Sequence, residues 1–321
     1  MDTTPGEASQ AAVKEKKRHS LLVDVLIRLV KEKPLGTAGG VIVLLLLFAG
    51  IFADFLAPYG YNEMDMAARL SAPSAEHLLG CDNLGRDLLS RVIYGARISM
   101  YVGFGVTILS TLISTTIGII SGFLGGKVDI IIQRFVDAWM CIPGLFLILT
   151  VMALLGPGLV QVILVLGVSG AIGGSRLIRS AVIGIKGNVY VEAARAIGVP
   201  LTRILTRHIL PNVFAVIIIA FTVHIGTAIL TEASLSFLGF GIPPPMPSWG
   251  GMLSGSGRRY MLVAPWMCLW PGLALSLVVY GINMLGDGLR DLLDPRLRGG
   301  LGRYGGVARK VAKAKAKATR T

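Results

Sequence analysis

Residues 98–126 read ISMYVGFGVTILSTLISTTIGIISGFLGG, an apolar run without one charged side chain. At about 1.5 Å of rise per helical residue this stretch exceeds the roughly 30 Å of a bilayer's hydrocarbon core, so it is read as a membrane-spanning helix. Residues 36–53 are equally free of charge and give another span. Residues 138–175 are uncharged over a length sufficient for two crossings, with Gly156-Pro157-Gly158 as the natural reversal between them. Residues 213–231 supply a fifth run and residues 260–286 a sixth, the latter with Pro265 and Pro271 near its start. The 321 residues are 53% hydrophobic and 15% charged, and the clustering of apolar residues argues against two soluble domains. The expected fold class is all-α: a polytopic membrane protein with about six transmembrane helices.

Orientation follows from lysine and arginine placement. Lys14, Lys16, Lys17, Arg18, Arg28, Lys31 and Lys33 precede the first span, so the N-terminal segment, residues 1–34, is expected in the cytosol. With six crossings the tail, residues 299–321, is cytosolic too, and it carries Arg303, Arg309, Lys310, Lys313, Lys315, Lys317 and Arg320. The basic loop from Arg176 to Arg207 falls on the same side, while the segment between the first two spans, which mixes Arg69, Arg86 and Arg91 with Glu63, Asp65, Glu76, Asp82 and Asp87, and the segment holding Arg258 and Arg259 fall outside. The first apolar run is longer than a signal-peptide core and is followed by Asp54-Phe55-Leu56-Ala57-Pro58 rather than a small-residue cleavage site, so it is expected to be retained. The net charge of +13 is explained by basic residues beside membrane spans, and without a recognition module around them nucleic acid is not an expected partner. The Gly/Ala/Lys-rich tail reads as disordered, either touching anionic lipid headgroups or simply solvated.

The sequence offers no catalytic constellation. Cys81, Cys141 and Cys268 form no CxxC or disulfide pattern, and His19, His77, His208 and His224 lack metal-ligand spacing. Gly126-Lys127 is followed by Val128 and has Ser121 where a phosphate loop needs its first glycine, so ATP hydrolysis is assigned to another polypeptide. Asp129, Arg134 and Asp137, and later Asp287, Arg290, Asp291, Asp294 and Arg296, lie at span edges and read as interfacial ion pairs. His224 falls inside the fifth run, where an ionisable group either faces an aqueous path or is hydrogen-bonded between helices; Glu232, at that run's end, is the second candidate for a path.

Between the fourth and fifth runs stands Glu192-Ala193-Ala194-Arg195-Ala196-Ile197-Gly198, followed by Ile209-Leu210-Pro211-Asn212. Good helix formers run from Glu192 to Ile197, Gly198 can terminate the helix, and Pro200 is a further stop. The alanines permit close approach by another surface, and Glu192 offers a carboxylate to a basic partner. A second helical pattern from Leu201 is expected to end before Pro211. Read from the residues alone, such a stretch is more often an ordinary amphipathic cytoplasmic loop.

Several motifs carry a family resemblance. Residues 79–87, LGCDNLGRD, continue through Ser90-Arg91 to Tyr94-Gly95-Ala96-Arg97-Ile98-Ser99; residues 232–239, EASLSFLG, are followed by Pro247-Ser248-Trp249-Gly250; and LGDGLRD, 285–291, by Asp294-Pro295-Arg296. Together with 192–198 these resemble C-type subunits of the dipeptide, oligopeptide and nickel permeases of binding-protein-dependent ABC importers, over roughly residues 34–298. Cys81 departs from the family's usual Thr. The resemblance implies the ABC importer permease fold over residues 35–298, with a coupling loop at 176–212 in which Glu192, Ala193, Ala194, Arg195, Ala196, Gly198 and Pro211 transmit motion. It implies a heterodimer with a related permease chain, two cytosolic ATP-binding domains carrying ATP and Mg, an extracytoplasmic solute-binding protein, and residence in a bacterial inner membrane. No cofactor is expected on this chain itself.

Dipeptides or oligopeptides are the expected cargo, with nickel chelates, glutathione or haem as alternatives in the same architecture. An ion-coupled secondary transporter would be expected to show mid-span carboxylates or inverted repeats with broken helices, neither of which stands out. A non-transporting membrane scaffold is the third class.

Overall fold

The computed structural model describes residues 21–293. Lys14 to Arg18, the Asp294-Pro295-Arg296 motif and the basic tail lie outside the described residues. The chain begins with α1 (Leu21–Glu32), α2 (Pro34–Ile51) and the single turn α3 (Ala53–Leu56). After an irregular segment over 57–87 come α4 (Leu88–Leu124), α5 (Gly126–Met140), α6 (Gly144–Leu155) and α7 (Leu159–Lys186). Then follow α8 (Val189–Ala196), α9 (Leu201–Ile204), a π-helical turn at Leu205–Ile209 and α10 (Leu210–Phe237), and finally α11 (Trp249–Leu253), α12 (Gly255–Tyr260) and α13 (Trp266–Leu293).

Five units are long and apolar enough to cross a bilayer: α2, α4, α7, the continuous stretch Leu201–Phe237, and α13. The third crossing differs from expectation. Instead of one straight helix there is a pair, α5 and α6, bent by 84°. Pro143 sits at the corner; it has no N–H to continue the α5 ladder and biases Ile142 away from helical backbone. The reversal at 156–158 stands where the sequence placed it, with Gly156 at φ +82° closing α6.

Three further boundaries need correction. The helix of the fourth span runs on to Lys186, so Arg176 and Arg179 lie on α7 rather than in the coupling loop. There Arg179 forks onto Asp129 at 2.5–2.6 Å and Arg176 pairs with Asp137, pinning α5 to α7. Pro211 does not terminate a helix; it occupies the first turn of α10, where its missing N–H is harmless, and the wider π-turn before it absorbs the change of register. The fifth helix also continues to Phe237, which brings Glu232 into the helix itself.

Contacts fix an alternating, antiparallel arrangement. At one end, the N-terminal half of α4 meets the C-terminal end of α2, where Arg97 Nε donates to Gly50 O at 2.8 Å. The turn before α7 joins the same end, with Gly158 N–H donating to Gly241 O at 3.1 Å. At the other end, Ile119 and Phe123 of α4, Ile178 and Val182 of α7, and Val213 and Ile217 of α10 form a buried cluster with α8 and α9. Lys33 closes that end against Asp291 at 2.6 Å. Small residues let the helices approach: a Cβ on Gly118 of α4 would lie 2.7 Å from both Ile178 Cβ and Ser175 O of α7.

Candidate functional site

The α8 end presents the segment for which the resemblance implies a coupling role. Val191 and Ala194 turn inward and are buried against Ile204, Ile209 and Val182. Glu192, Ala193 and Ala196 face outward, flanked by Val189 at 82% and Ile197 at 80% exposure. Among the described residues the Glu192 carboxylate has no hydrogen-bonding or ionic partner, its backbone N–H donating to Asn188 O at 3.2 Å. Ala194 therefore does not offer itself to a partner as the sequence suggested; the helix needs it as an anchor. Arg195 is also tied to its own chain, with its guanidinium 4.4 Å from the centroid of the Phe123 ring.

The exit from α8 is a Schellman turn. Val199 N–H donates to Ala194 O at 3.0 Å and Gly198 N–H to Arg195 O at 3.0 Å, with Gly198 at φ +74°. Val199 packs beside Ala194 in the same cluster, the apolar contact such turns favour. The result is a rigid bracket: a two-turn helix held from beneath, presenting a short carboxylate-bearing, alanine-lined surface away from the bundle.

At the opposite end, motifs far apart in sequence converge. Asp87 caps α4, its Oδ2 accepting from Ser90 N and Oγ at 2.8 Å and its Oδ1 meeting His77 Nδ1 at 3.0 Å. Asp82 accepts from Leu84 N, Arg86 N and Arg86 Nε at 2.7–3.0 Å, folding the LGCDNLGRD stretch into a compact cap. Cys81 is fully buried within it, and burial pushes its thiol above the usual range. Trp249 is buried over Gly95, its Nε1 donating to Val92 O at 3.0 Å. Glu232 is buried behind this cap, accepting from Ser236 Oγ at 2.6 Å. It lines neither of the two cavities described next. One cavity, of about 390 Å³, opens between the cap and the 239–256 segment; Asp82, Arg86, Arg91, Ser248 and Met267 are among its walls. Sequence reasoning grouped these stretches only by resemblance and had no signal for their shared cavity, which arises from tertiary packing.

A second cavity, of about 380 Å³, lies in the helical body beside the α5–α6 corner. His224 lines it together with Trp139, Ser110, Thr227 and Thr231. Of the two expectations for His224, the structure brings it to a cavity wall; among the described residues its ring has no hydrogen-bond partner. His224→Phe is accordingly expected to lower uptake by roughly tenfold, equivalent to about 1.4 kcal/mol, while assembly is retained and His224→Gln is milder. Uptake by the purified, reconstituted variants checks this, and wild-type rates in both would remove His224 from the path. Among the described residues no three His, Cys, Asp or Glu side chains form a metal-binding group.

Comparison with known proteins places these features. Residues 114–299 match the family model for the binding-protein-dependent transport system inner membrane component, and residues 20–73 match that for the N-terminal TM domain of oligopeptide transport permease C. The chain is 41% identical over 268 residues to the dipeptide transport system permease protein DppC of Alkalihalophilus pseudofirmus, covering 84% of this chain and 88% of that one. It is 37% identical to the oligopeptide transport system permease protein OppC of Bacillus subtilis, covering 91% and 95%. With the glutathione transport system permease protein GsiD of Pectobacterium atrosepticum it shares 41% identity, covering 81% and 87%. Among solved structures, the MetNI methionine ABC transporter in an inward-facing conformation superposes with a TM-score of 0.52 at 19% identity, over 64% of this chain and 96% of that chain, which establishes likeness of fold.

Proposed function

The chain belongs to the family of binding-protein-dependent transport inner membrane components, the permeases of ABC importers, and from that premise we propose that it is one of two different permease chains of an ATP-driven importer of dipeptides or oligopeptides. The observation that carries the mechanism is the α8 bracket, anchored by Val191 and Ala194 and presenting Glu192, Ala193 and Ala196 outward. In this reading a cytosolic ATPase receives that surface in a groove, and a basic side chain there pairs with Glu192. ATP and Mg act on the ATPase subunits. Closure of the ATPase dimer then moves α8, and α8 moves the ends of α4, α7 and α10 with which it shares a core.

The cargo reading draws on relatives named for dipeptide and oligopeptide transport; those named for glutathione support a neighbouring reading, a small peptide thiol. A solute-binding protein outside the membrane delivers the cargo, so the permease itself needs little discrimination. Orientation follows from the basic residues: we place α8 and both termini in the cytosol and the Asp82 cap outside a bacterial inner membrane. Two measurements test this. Copurification from the native membrane should bring a second permease chain and ATPase subunits with this one, and deletion should abolish peptide uptake. In a cysteine-free background, single cysteines at Met66 and Leu262, exposed in the two outer segments, should label from outside intact cells with an impermeant reagent, whereas one at Arg195 should label only after permeabilisation; labelling of position 195 from outside would overturn the orientation.

A further inference from the structure

The cavity beneath the cap has an unbalanced wall. Of its lining residues only Asp82, Arg86 and Arg91 carry charge, which leaves one cation in excess. Asp87, next to them in sequence, has both oxygens engaged by His77 and Ser90. Glu232 stands behind the wall and is held by Ser236. Arg91 is 6% exposed; one terminal nitrogen donates to Tyr61 O at 2.9 Å, its Nε is enclosed out of the cavity's reach without a hydrogen-bond acceptor, and its other terminal nitrogen has no acceptor among the described residues. The nearest carboxylate oxygen, Asp82 Oδ2, is 3.7 Å away and already accepts from Arg86 Nε at 2.7 Å. A buried charged donor without an acceptor is costly, and native structures rarely tolerate one unless something fills the place.

The rest of the cavity narrows what that something is. The same walls hold Ser254, whose hydroxyl donates to Gly251 O at 3.3 Å, Ser256, and the methionines Met246, Met252 and Met267. Hydroxyls accept or donate as needed, and methionines adapt to apolar groups of varied shape. An inorganic anion would leave the apolar wall unused; a small organic carboxylate uses both, since a planar guanidinium fork matches a carboxylate. We propose that this cavity is a carboxylate-binding vestibule in which Arg91, with Arg86 beside it, receives the terminal carboxylate of a peptide as it enters the permease. The ligand's identity rests on the peptide-uptake reading above; the carboxylate chemistry does not. An acidic side chain of the docked solute-binding protein is the other source of the same group.

The test uses the complete transporter in lipid nanodiscs, in a cysteine-free background carrying Ser256→Cys as a reporter inside the cavity. Dialanine is expected to slow maleimide labelling of position 256 at least fivefold, dialanine amide to leave it unchanged, and Arg91→Gln to abolish the protection. Arg91→Lys keeps the charge but not the planar fork and should need about tenfold more dialanine; it carries the test if Arg91→Gln does not assemble. Protection by the binding protein alone, lost in the Arg91 variants together with about tenfold of its docking affinity, would assign the carboxylate to that protein instead of the peptide and overturn the peptide assignment. Equal protection by dialanine and its amide, or none by either probe, overturns the vestibule altogether. Uptake of labelled dialanine by the unmodified transporter is measured in parallel, so that protection without uptake sinks the peptide reading and leaves the carboxylate site standing.

Discussion

Gly198→Val is expected to reduce ATP-coupled transport about thirtyfold while membrane insertion remains normal. At φ +74° the backbone is left-handed, a conformation that costs an ordinary L-residue about 1–2 kcal/mol and a β-branched one more. A loss of 2 kcal/mol corresponds to roughly thirtyfold. A side chain at this position would meet nothing within 4 Å, so the effect is confined to the backbone turn. That isolates the cause: Gly198→Asn, which tolerates left-handed backbone, should recover most of the activity. Glu192→Ala should instead weaken ATPase association, by about 1.5 to 3 kcal/mol if the carboxylate makes a charge-assisted hydrogen bond. Transport, copurifying ATPase and binding-protein-stimulated hydrolysis separate the two. Full coupling in both Gly198→Val and Glu192→Ala would mean that α8 does not transmit the stroke.

The second large effect is expected within the bundle. Gly118→Leu should prevent native packing of α4 on α7, because its Cβ would stand 2.7 Å from Ile178 Cβ and from the Ser175 carbonyl, and 2.9 Å from Arg179 N. Backbone cannot swing aside as a side chain can, so the cost should exceed the usual 1–3 kcal/mol of overpacking. Thermal unfolding in detergent, followed by aggregation, would report it. Gly118→Ala provides the sign test. Intrinsic helix propensity favours alanine by up to about 1 kcal/mol, so destabilisation by alanine shows that close helix approach governs the site. A stabilised Gly118→Ala would refute the tight α4–α7 contact.

The sequence made the long apolar helices legible because lipid imposes length and the absence of charge, and α2, α4 and α13 meet both conditions directly. It was less informative wherever charge and helix coexist. Arg176 and Arg179 looked like loop residues, yet their partners Asp137 and Asp129 sit on another helix, and that neutralising contact is tertiary. The same holds for Pro211: local chemistry marks it as a breaker, but a helix start accepts proline and the π-turn makes room before it. At α8 the composition identified the helix and its glycine exit, whereas it could not say which alanine faces inward; only the shared core with Val191 and Ile209 decides that. His224 was visible as an oddity in an apolar run, but the cavity beside it depends on the α5–α6 bend.

That bend governs how the subunit lives in a bilayer. The twelve residues of α6 extend about 18 Å, well short of the roughly 30 Å hydrocarbon layer. Taken as one span, the α5–α6 pair would place the non-helical backbone of its corner where lipid has nothing to offer it, with Met140, Ile142 and Phe146 exposed around it. Such backbone endures only against water in a passage or against another protein. The second permease chain proposed above, or a water-filled passage, would have to cover that corner, which would make assembly a condition of the subunit's survival.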